Sequence, residues 1–399
     1  MSHGAQVPSL LTLCFTVGIL CSNIFAQDEI SSTTTEPFLC PSGCICLSSK
    51  QVLCNTGGLK EIPTYLNQGI EDLSLSKNDF STIESDAFKG LRYLRKLSLD
   101  SNNITVIKPF AFRGLTTLTD LSIQYTPLSY IGQYSFATLH NVTLILLAHN
   151  RIKYIEEFSF AGTSNIKLIL LTNNPIVTIQ SKAFSGLNNV ERLIFPSGIR
   201  TIEPDAFNGL SNVGLLKLTF MDLTSLLPYT FRGLSHVQLL NIQESDLGTI
   251  KVDAFTDSDH IDNLYILNNK IDFIEELKLT GDNAVGELRF QGNHVLRSPR
   301  AKDTWLNVHS ISAQNNYFSC DCLIHELFDS DFTNGSVQQF RKNNFCISPL
   351  EYHGSPMSEI DFDLIARCHD KVVQDNLGSS APSFIRHFII IISIFYAIQ

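Results

Sequence analysis

Leu94-Arg95-Lys96-Leu97-Ser98-Leu99-Asp100-Ser101-Asn102-Asn103-Ile104, followed by Ile107, Phe112 and Leu115, is one unit of a repeat. Units in the same phase start at Ile70, Leu118, Val142, Ile166, Val190, Val213, Val237, Ile261 and Val285, so the period is 23–24 residues. Tandem units of this size cannot bury an apolar face singly; they stack, and stacking makes a solenoid.

The pattern L-x-x-L-x-L-x-x-N-x-L assigns roles within the unit. Leu97 and Leu99 alternate with Ser98 across a short strand, so the leucines point inward and the serine outward. Asn102 ends the strand, where its amide can serve backbone groups that the sheet ladder leaves behind. Asn78, Asn150, Asn174, Asn269, Asn293 and Asn316 take the same slot. Thr126, Ser245 and Met221 replace the amide elsewhere; Met221 cannot do its work. The unit from Val190 is one residue short around Pro196-Ser197-Gly198, which predicts an irregular turn there. Phe88, Phe112, Phe136, Phe160, Phe184, Phe207, Phe231 and Phe255 share a slot on the outer side, taken by Leu279 in the ninth unit. Recurrence at one phase reads as core packing of stacked rings, against the rival reading of an aromatic ligand ladder. The fold expected is an α/β solenoid, the leucine-rich repeat horseshoe, with a parallel concave sheet and disulfide-bonded caps at both ends.

Cysteine placement and the two termini bear on compartment. Of the ten cysteines, Cys14 and Cys21 lie in an apolar stretch that ends near Ala26, a secretory signal over residues 1–26 with a weak, His3-only basic region. The other cysteines form two groups of four, Cys40, Cys44, Cys46 and Cys54 before the repeats and Cys320, Cys322, Cys346 and Cys368 after them. In an exported chain such even groups read as disulfides, and each group allows three pairings. Zinc is the rival reading of Cys320-Asp321-Cys322. Residues 27–39, with Ser31-Ser-Thr-Thr-Thr35, read as a low-complexity leader. The boundaries expected are 40–69 for the first cap, 70–315 for the repeats and 316–368 for the second cap.

After Cys368 comes a linker, 369–381, with the small residues Gly378 and Ser379, then a segment, 382–399, whose apolar run Phe388 to Ile398 stops at the chain end. This order describes a glycosylphosphatidylinositol (GPI) attachment signal. The run is shorter than the roughly 20 residues of a spanning helix. A short membrane helix and a plain secreted tail are the other two readings. Sequons at Asn103, Asn141 and Asn334 predict glycosylation in solvent.

Cys40-x3-Cys44-x-Cys46-x7-Cys54 and Asn316-Tyr-Phe-Ser-Cys320-Asp-Cys322 with Cys346 and Cys368 resemble the caps of extracellular leucine-rich repeat proteins. That group includes Slit, the Nogo receptor, chaoptin, connectin and Toll-type ectodomains, and the chain also resembles the non-catalytic repeat subunit of a secreted shrimp luciferase. The resemblance implies the pairs Cys40–Cys46, Cys44–Cys54, Cys320–Cys346 and Cys322–Cys368. It specifies a fold far better than a function, because the group binds many unrelated ligands.

The net charge of −10, with no basic run, argues against a nucleic-acid or other polyanion partner. No nucleophile elbow, H-E-x-x-H or phosphate loop is present in the sequence. His325-Glu326 lacks the second histidine of a metalloprotease helix and reads as a solvated pair. No enzyme, cofactor or metal is expected. Function is sought in the outward slots of the sheet. One column runs Asp72, Lys96, Asp120, Leu144, Leu168, Arg192, Leu215, Leu239, Asn263, Glu287 and Ser310. The other runs Ser74, Ser98, Ser122, Leu146, Leu170, Ile194, Lys217, Asn241, Tyr265, Arg289 and Ser312. Both turn apolar in the middle. Leu144, Leu146, Leu168, Leu170 and Ile194 therefore form an expected concave-face binding patch, extended by Leu215, Leu239 and Phe220. A glycan cover or a local irregularity is the competing account. The function expected is recognition or adhesion of an extracellular or cell-surface protein by a GPI-anchored co-receptor type of protein. The alternatives are a secreted non-catalytic subunit of an extracellular enzyme and an innate-immune pattern-recognition protein.

Overall fold

The computed structural model describes residues 39–279 and 285–368. The expected signal segment, nearly all of the leader, the attachment region at Gly378 and Ser379 and the apolar tail lie outside the described residues. From Cys40 onward the described residues form one compact unit. Its spine is a 13-stranded sheet in which each turn adds one strand. The first cap supplies two of these strands: Ile45–Cys46 runs antiparallel to Gln51–Leu53, which pairs in parallel with Asp72–Ser74. Every later pair in this sheet is parallel, ending at Ser310–Gln314.

Strand length changes along the array. Asp72–Ser74, Lys96–Ser98, Asp120–Ser122 and Leu144–Leu146 have three residues each. Ser164–Leu170 and Asn188–Ile194 have seven. Ser211–Thr219, Ser235–Gln243 and Asp259–Leu267 have nine. The outer side is built of turns and two-residue strands such as Tyr130–Ile131, Tyr154–Ile155 and Thr178–Ile179. Among the described residues α-helix is confined to the second cap, at Ile324–Phe328 and Val337–Asn343. The α component of the expected α/β solenoid is thus small. A period of 23–24 residues leaves too little chain for a helix once the strand and its turn are made. Gly90, with φ +99°, turns the chain back toward the sheet where a side chain would be strained.

Two ladders join the turns. In the first, Asn102 Nδ2 donates to the Leu99 carbonyl of its own turn at 2.8 Å and to Leu75 of the preceding turn at 3.0 Å. Its Oδ1 accepts the backbone N–H of Asn78 at 3.2 Å. These buried groups would otherwise lack partners where the strand ends. Thr126 joins the ladder by donating its hydroxyl to Asn150 Oδ1. Met221 gives only its backbone N–H, accepted by Ser245 Oγ at 3.0 Å. In the second ladder, the phenylalanines from Phe88 to Phe255 stack ring on ring, with centroids 4.9–6.0 Å apart. All eight are buried, so they form core. In the short unit, Phe195 turns its edge onto the rings of Phe184 and Phe207.

Each cap is closed by two disulfides. Cys40 bonds Cys46, Cys44 bonds Cys54, Cys320 bonds Cys346 and Cys322 bonds Cys368.

Candidate binding face

Register fixes which side chains leave the sheet. Leu144, Leu168, Arg192, Leu215 and Leu239 are successive partners across five strands. Leu146, Leu170, Ile194, Lys217 and Asn241 form the next outward row. The leucines and Ile194 of both rows are half-buried, while the alternating Ile145, Leu147, Ile169, Leu171 and Leu193 are fully buried. That division follows from strand pleating alone.

The structure brings Leu144, Leu146, Leu168, Leu170 and Ile194 together as one apolar surface over three strands. Arg192 stands between Leu168 and Leu215 in its row, with its guanidinium 3.7 Å from the Glu191 carboxylate. Leu215 and Leu239 are therefore a second apolar pair, joined to the first diagonally through Ile194. Phe220 does not lie on the strand face. It follows Thr219, the last residue of its strand, at φ +53° and 55% exposure. The same left-handed turn position holds Tyr125 and His149, whose rings stack 4.6 Å apart. The turn bends these side chains to the rim of the sheet, which the strand periodicity alone does not reveal. The next row along the pleat holds Ala148, Thr172, Pro196 and Thr219, of which Thr172 is half-buried and the other three are buried. Its signal was its position two residues before the asparagine slot.

On both flanks the outward side chains satisfy one another. Toward the first cap, Ser76 pairs with Ser98, and Asp100 accepts from both Ser98 and Ser122. Toward the second cap, Arg289 Nε donates to Glu287 Oε1 at 2.8 Å and its guanidinium lies 4.6 Å from the Tyr265 ring centroid. The Glu287 hydrogen bond raises the Arg289 pKa above its ordinary value. The apolar middle has no such internal partners. At its edge Asn241 donates Nδ2 to Gln243 Oε1 at 3.1 Å, but its buried Oδ1 has no hydrogen-bond partner.

The sequon asparagines are all exposed. Asn103 donates to Asp79, Asn141 donates to the Thr116 carbonyl at 2.7 Å, and Asn334 sits at φ +46° after a 3-10 turn. Among the described residues no helix is long and apolar enough to cross a membrane.

Two family models match the array. One, described as a leucine rich repeat, matches residues 92–152 and 140–197. The other, described as a BspA type leucine rich repeat region, matches residues 171–280, starting close to where the sheet strands lengthen. Human biglycan is 39% identical over 67 residues, which are 17% of this chain and 18% of biglycan. Mouse biglycan matches with the same identity and coverage. The match thus spans less than a fifth of these relatives. Among solved structures, human 5T4 (Wnt-activated inhibitory factor 1, trophoblast glycoprotein) aligns with a TM-score of 0.37 and 16% identity, over 82% of this chain and 99% of its own. A chain of the octameric complex of Latrophilin 3, Unc5D and FLRT2 aligns with a TM-score of 0.46 and 19% identity, over 82% and 100%. With its register, its asparagine ladder and its two disulfide-closed ends, the chain belongs to the leucine-rich repeat proteins that carry a cysteine cap at each end.

Proposed function

We propose that this protein binds another protein on the concave face of its sheet, at the apolar surface made by Leu144, Leu146, Leu168, Leu170 and Ile194. The observation that carries the reading is the contrast along that face. Hydrogen-bonded polar side chains on both flanks give way to aliphatic ones over three adjacent strands. Contiguous exposed apolar surface with a polar rim is how docking surfaces are built. Leu215, Leu239 and Phe220 extend the contact, and Arg192 and Lys217 set its charge. The protein acts outside the cell in recognition or adhesion, held at the membrane by lipid attached at Gly378 or Ser379. The disulfide-closed caps support an oxidising compartment, and the small residues before the terminal apolar run support the anchor.

The test is Leu146→Asp/Leu170→Asp, with Ser98→Ala/Ser122→Ala on the same face as control. Partners are first recovered by proximity labelling of the surface-expressed wild type. Folding should persist, because Ile145, Leu147, Ile169 and Leu171 are untouched. Binding should fall by about two orders of magnitude or more, at about 2 kcal/mol or more per hot-spot residue. Unchanged binding by the folded Asp variant would place the site elsewhere.

A further inference from the structure

The N-terminal rim of the long strands carries a cluster that protein docking on the apolar patch does not use. His236 and His260 occupy one position in successive turns, each one residue before a buried inward residue, Val237 and Ile261. Their rings stack 5.0 Å apart with planes 4° apart. Asp259 precedes His260, and its carboxylate contacts His260 Nδ1. One ligand atom from each of the three residues lies within 4.8 Å of the other two. Both histidines are exposed.

Backbone geometry accounts for only part of this. The position is left-handed, with φ +53° at His236 and +51° at His260, and Asn165, Asn189 and Asn212 fill it in the preceding turns. Asparagine and histidine are among the residues that tolerate such a conformation. Conformation does not require two successive imidazoles with a carboxylate beside them. A hollow of about 300 Å³ opens next to the rings, between Asn212, Gly214, Gln238 and Asp262. At Gly214 a Cβ would lie 2.6 Å from the Glu191 carbonyl oxygen, so the adjoining turn excludes a side chain there.

We propose that His236, His260 and Asp259 form a divalent transition-metal site of the zinc class, with its remaining positions open toward the hollow. Two imidazoles and one carboxylate suit zinc and its neighbours rather than calcium or magnesium, which take oxygen ligands. Three protein ligands with an open position are also a recurrent zinc arrangement. Zinc–nitrogen bonds of about 2.0–2.1 Å require the two ring nitrogens to lie within about 4 Å of each other. The stacked rings must turn so that their in-plane lone pairs converge, and exposed side chains make such rotamer changes freely. Because the ligands come from two turns, a bound ion staples those turns and binds only the folded array, so it must raise thermal stability. This inference stands independently of the docking role.

The experiment uses the full chain without a polyhistidine tag, titrated with zinc chloride in a calorimeter and melted with and without zinc. The variant is His236→Asn/His260→Asn, because asparagine already occupies this left-handed position in three other turns, whereas alanine would be strained there. The wild type should take up one zinc ion per chain and melt at a higher temperature with zinc. Loss of a mere outer partner of a metal costs about 10–100-fold in affinity, so the double variant should lose more than about 100-fold, together with the thermal shift. Its melting temperature in chelator should match the wild type, since both side chains are exposed. Asp259→Asn should weaken zinc binding less than the double variant does. Absence of saturable zinc binding by the wild type, or an equal zinc response from the double variant, overturns the proposal.

Discussion

Asn344, in the second cap, accepts on its Oδ1 at 2.9 Å the backbone N–H of Asn316, which takes the asparagine slot just after the last sheet strand. The cap thereby continues the asparagine ladder one step beyond the repeats. Asn344 Nδ2 also donates to the carbonyls of Ala313 at 2.9 Å and Phe340 at 2.8 Å, and the residue is fully buried. Replacing Asn344 with Ala strands the Asn316 N–H and these carbonyls away from water. Each orphaned group costs about 1–3 kcal/mol, less where neighbours relax. Urea denaturation should show Asn344→Ala destabilised by at least about 2 kcal/mol, and a loss below about 0.5 kcal/mol would show that water replaces the amide.

The ladder also shows what sequence can convey. Asn102, Asn150 and Asn174 recur at fixed distance from the strand leucines, so they mark the phase that sends Leu146 and Leu170 outward and Ile145 and Ile169 inward. The phenylalanine column is legible for the same reason. Asn344 was not legible, because the second cap breaks the period and its spacing to Asn316 differs from that between turns. Strand lengthening from three residues to nine was equally hidden: it depends on backbone pairing between turns before the leucine pattern starts, as where Ser164 pairs in parallel with Asn188. The rim position of Phe220 depends on a left-handed backbone that hydropathy does not encode. The histidine cluster escapes motif searches because its ligands come from different turns.

Phe160 is fully buried between Phe136 at 5.3 Å and Phe184 at 5.8 Å, in the middle of the outer core column. Truncation to Ala opens a void that two flanking rings cannot fill, at a cost of about 3–5 kcal/mol. Phe160→Leu retains much of the volume and loses the stacking, worth about 0.5–1.5 kcal/mol per pair beyond burial. The denaturation midpoint should fall in the order wild type, Leu, Ala. Equal midpoints for the two variants would mean that the rings contribute only volume.

Arg232 clamps Asp205 across the turns, with Nε–Oδ1 and Nη2–Oδ2 both at 2.5 Å, and lies 4.4 Å from the Tyr229 ring centroid. Arg113 and Asp86 repeat the arrangement at the same 27-residue separation. The Arg232 hydrogen bond holds the Asp205 carboxyl below the ordinary aspartate range, against the opposing effect of burial. A depressed carboxyl pKa contributes stability that is complete above the unfolded value of about 3.9 and disappears as pH falls through the folded value. The melting-temperature gap between wild type and Asp205→Asn should therefore be widest above about pH 5 and close as the pH is lowered toward about 2. A gap that does not narrow would assign the effect of Asp205 to packing.

The second cap extends the core as well as covering it. Phe332 packs 4.9 Å from the Phe290 ring and 6.1 Å from Phe318, and Phe340 packs 5.7 Å from Phe318. Its last segment also makes noncovalent contacts: the Ile365 carbonyl lies 2.8 Å from His325 Nε2, the Ile360 carbonyl accepts from Arg341 at 2.6 Å, and the Phe362 ring packs edge-on 5.0 Å from Phe328. The Cys322–Cys368 disulfide, spanning 46 residues, ties this segment to the base of the cap. Losing a native disulfide from a small module costs about 2–5 kcal/mol. Here the loss loosens the segment behind the elements whose Phe332 and Phe340 cover Phe290 and Phe318. Cys322→Ser should be retained inside cells, and its purified fraction should be cleaved by protease first between Val337 and Cys368 while the repeat array persists. Normal export with an unchanged unfolding midpoint would show that the ladder and the aromatic cluster close the array without the disulfide.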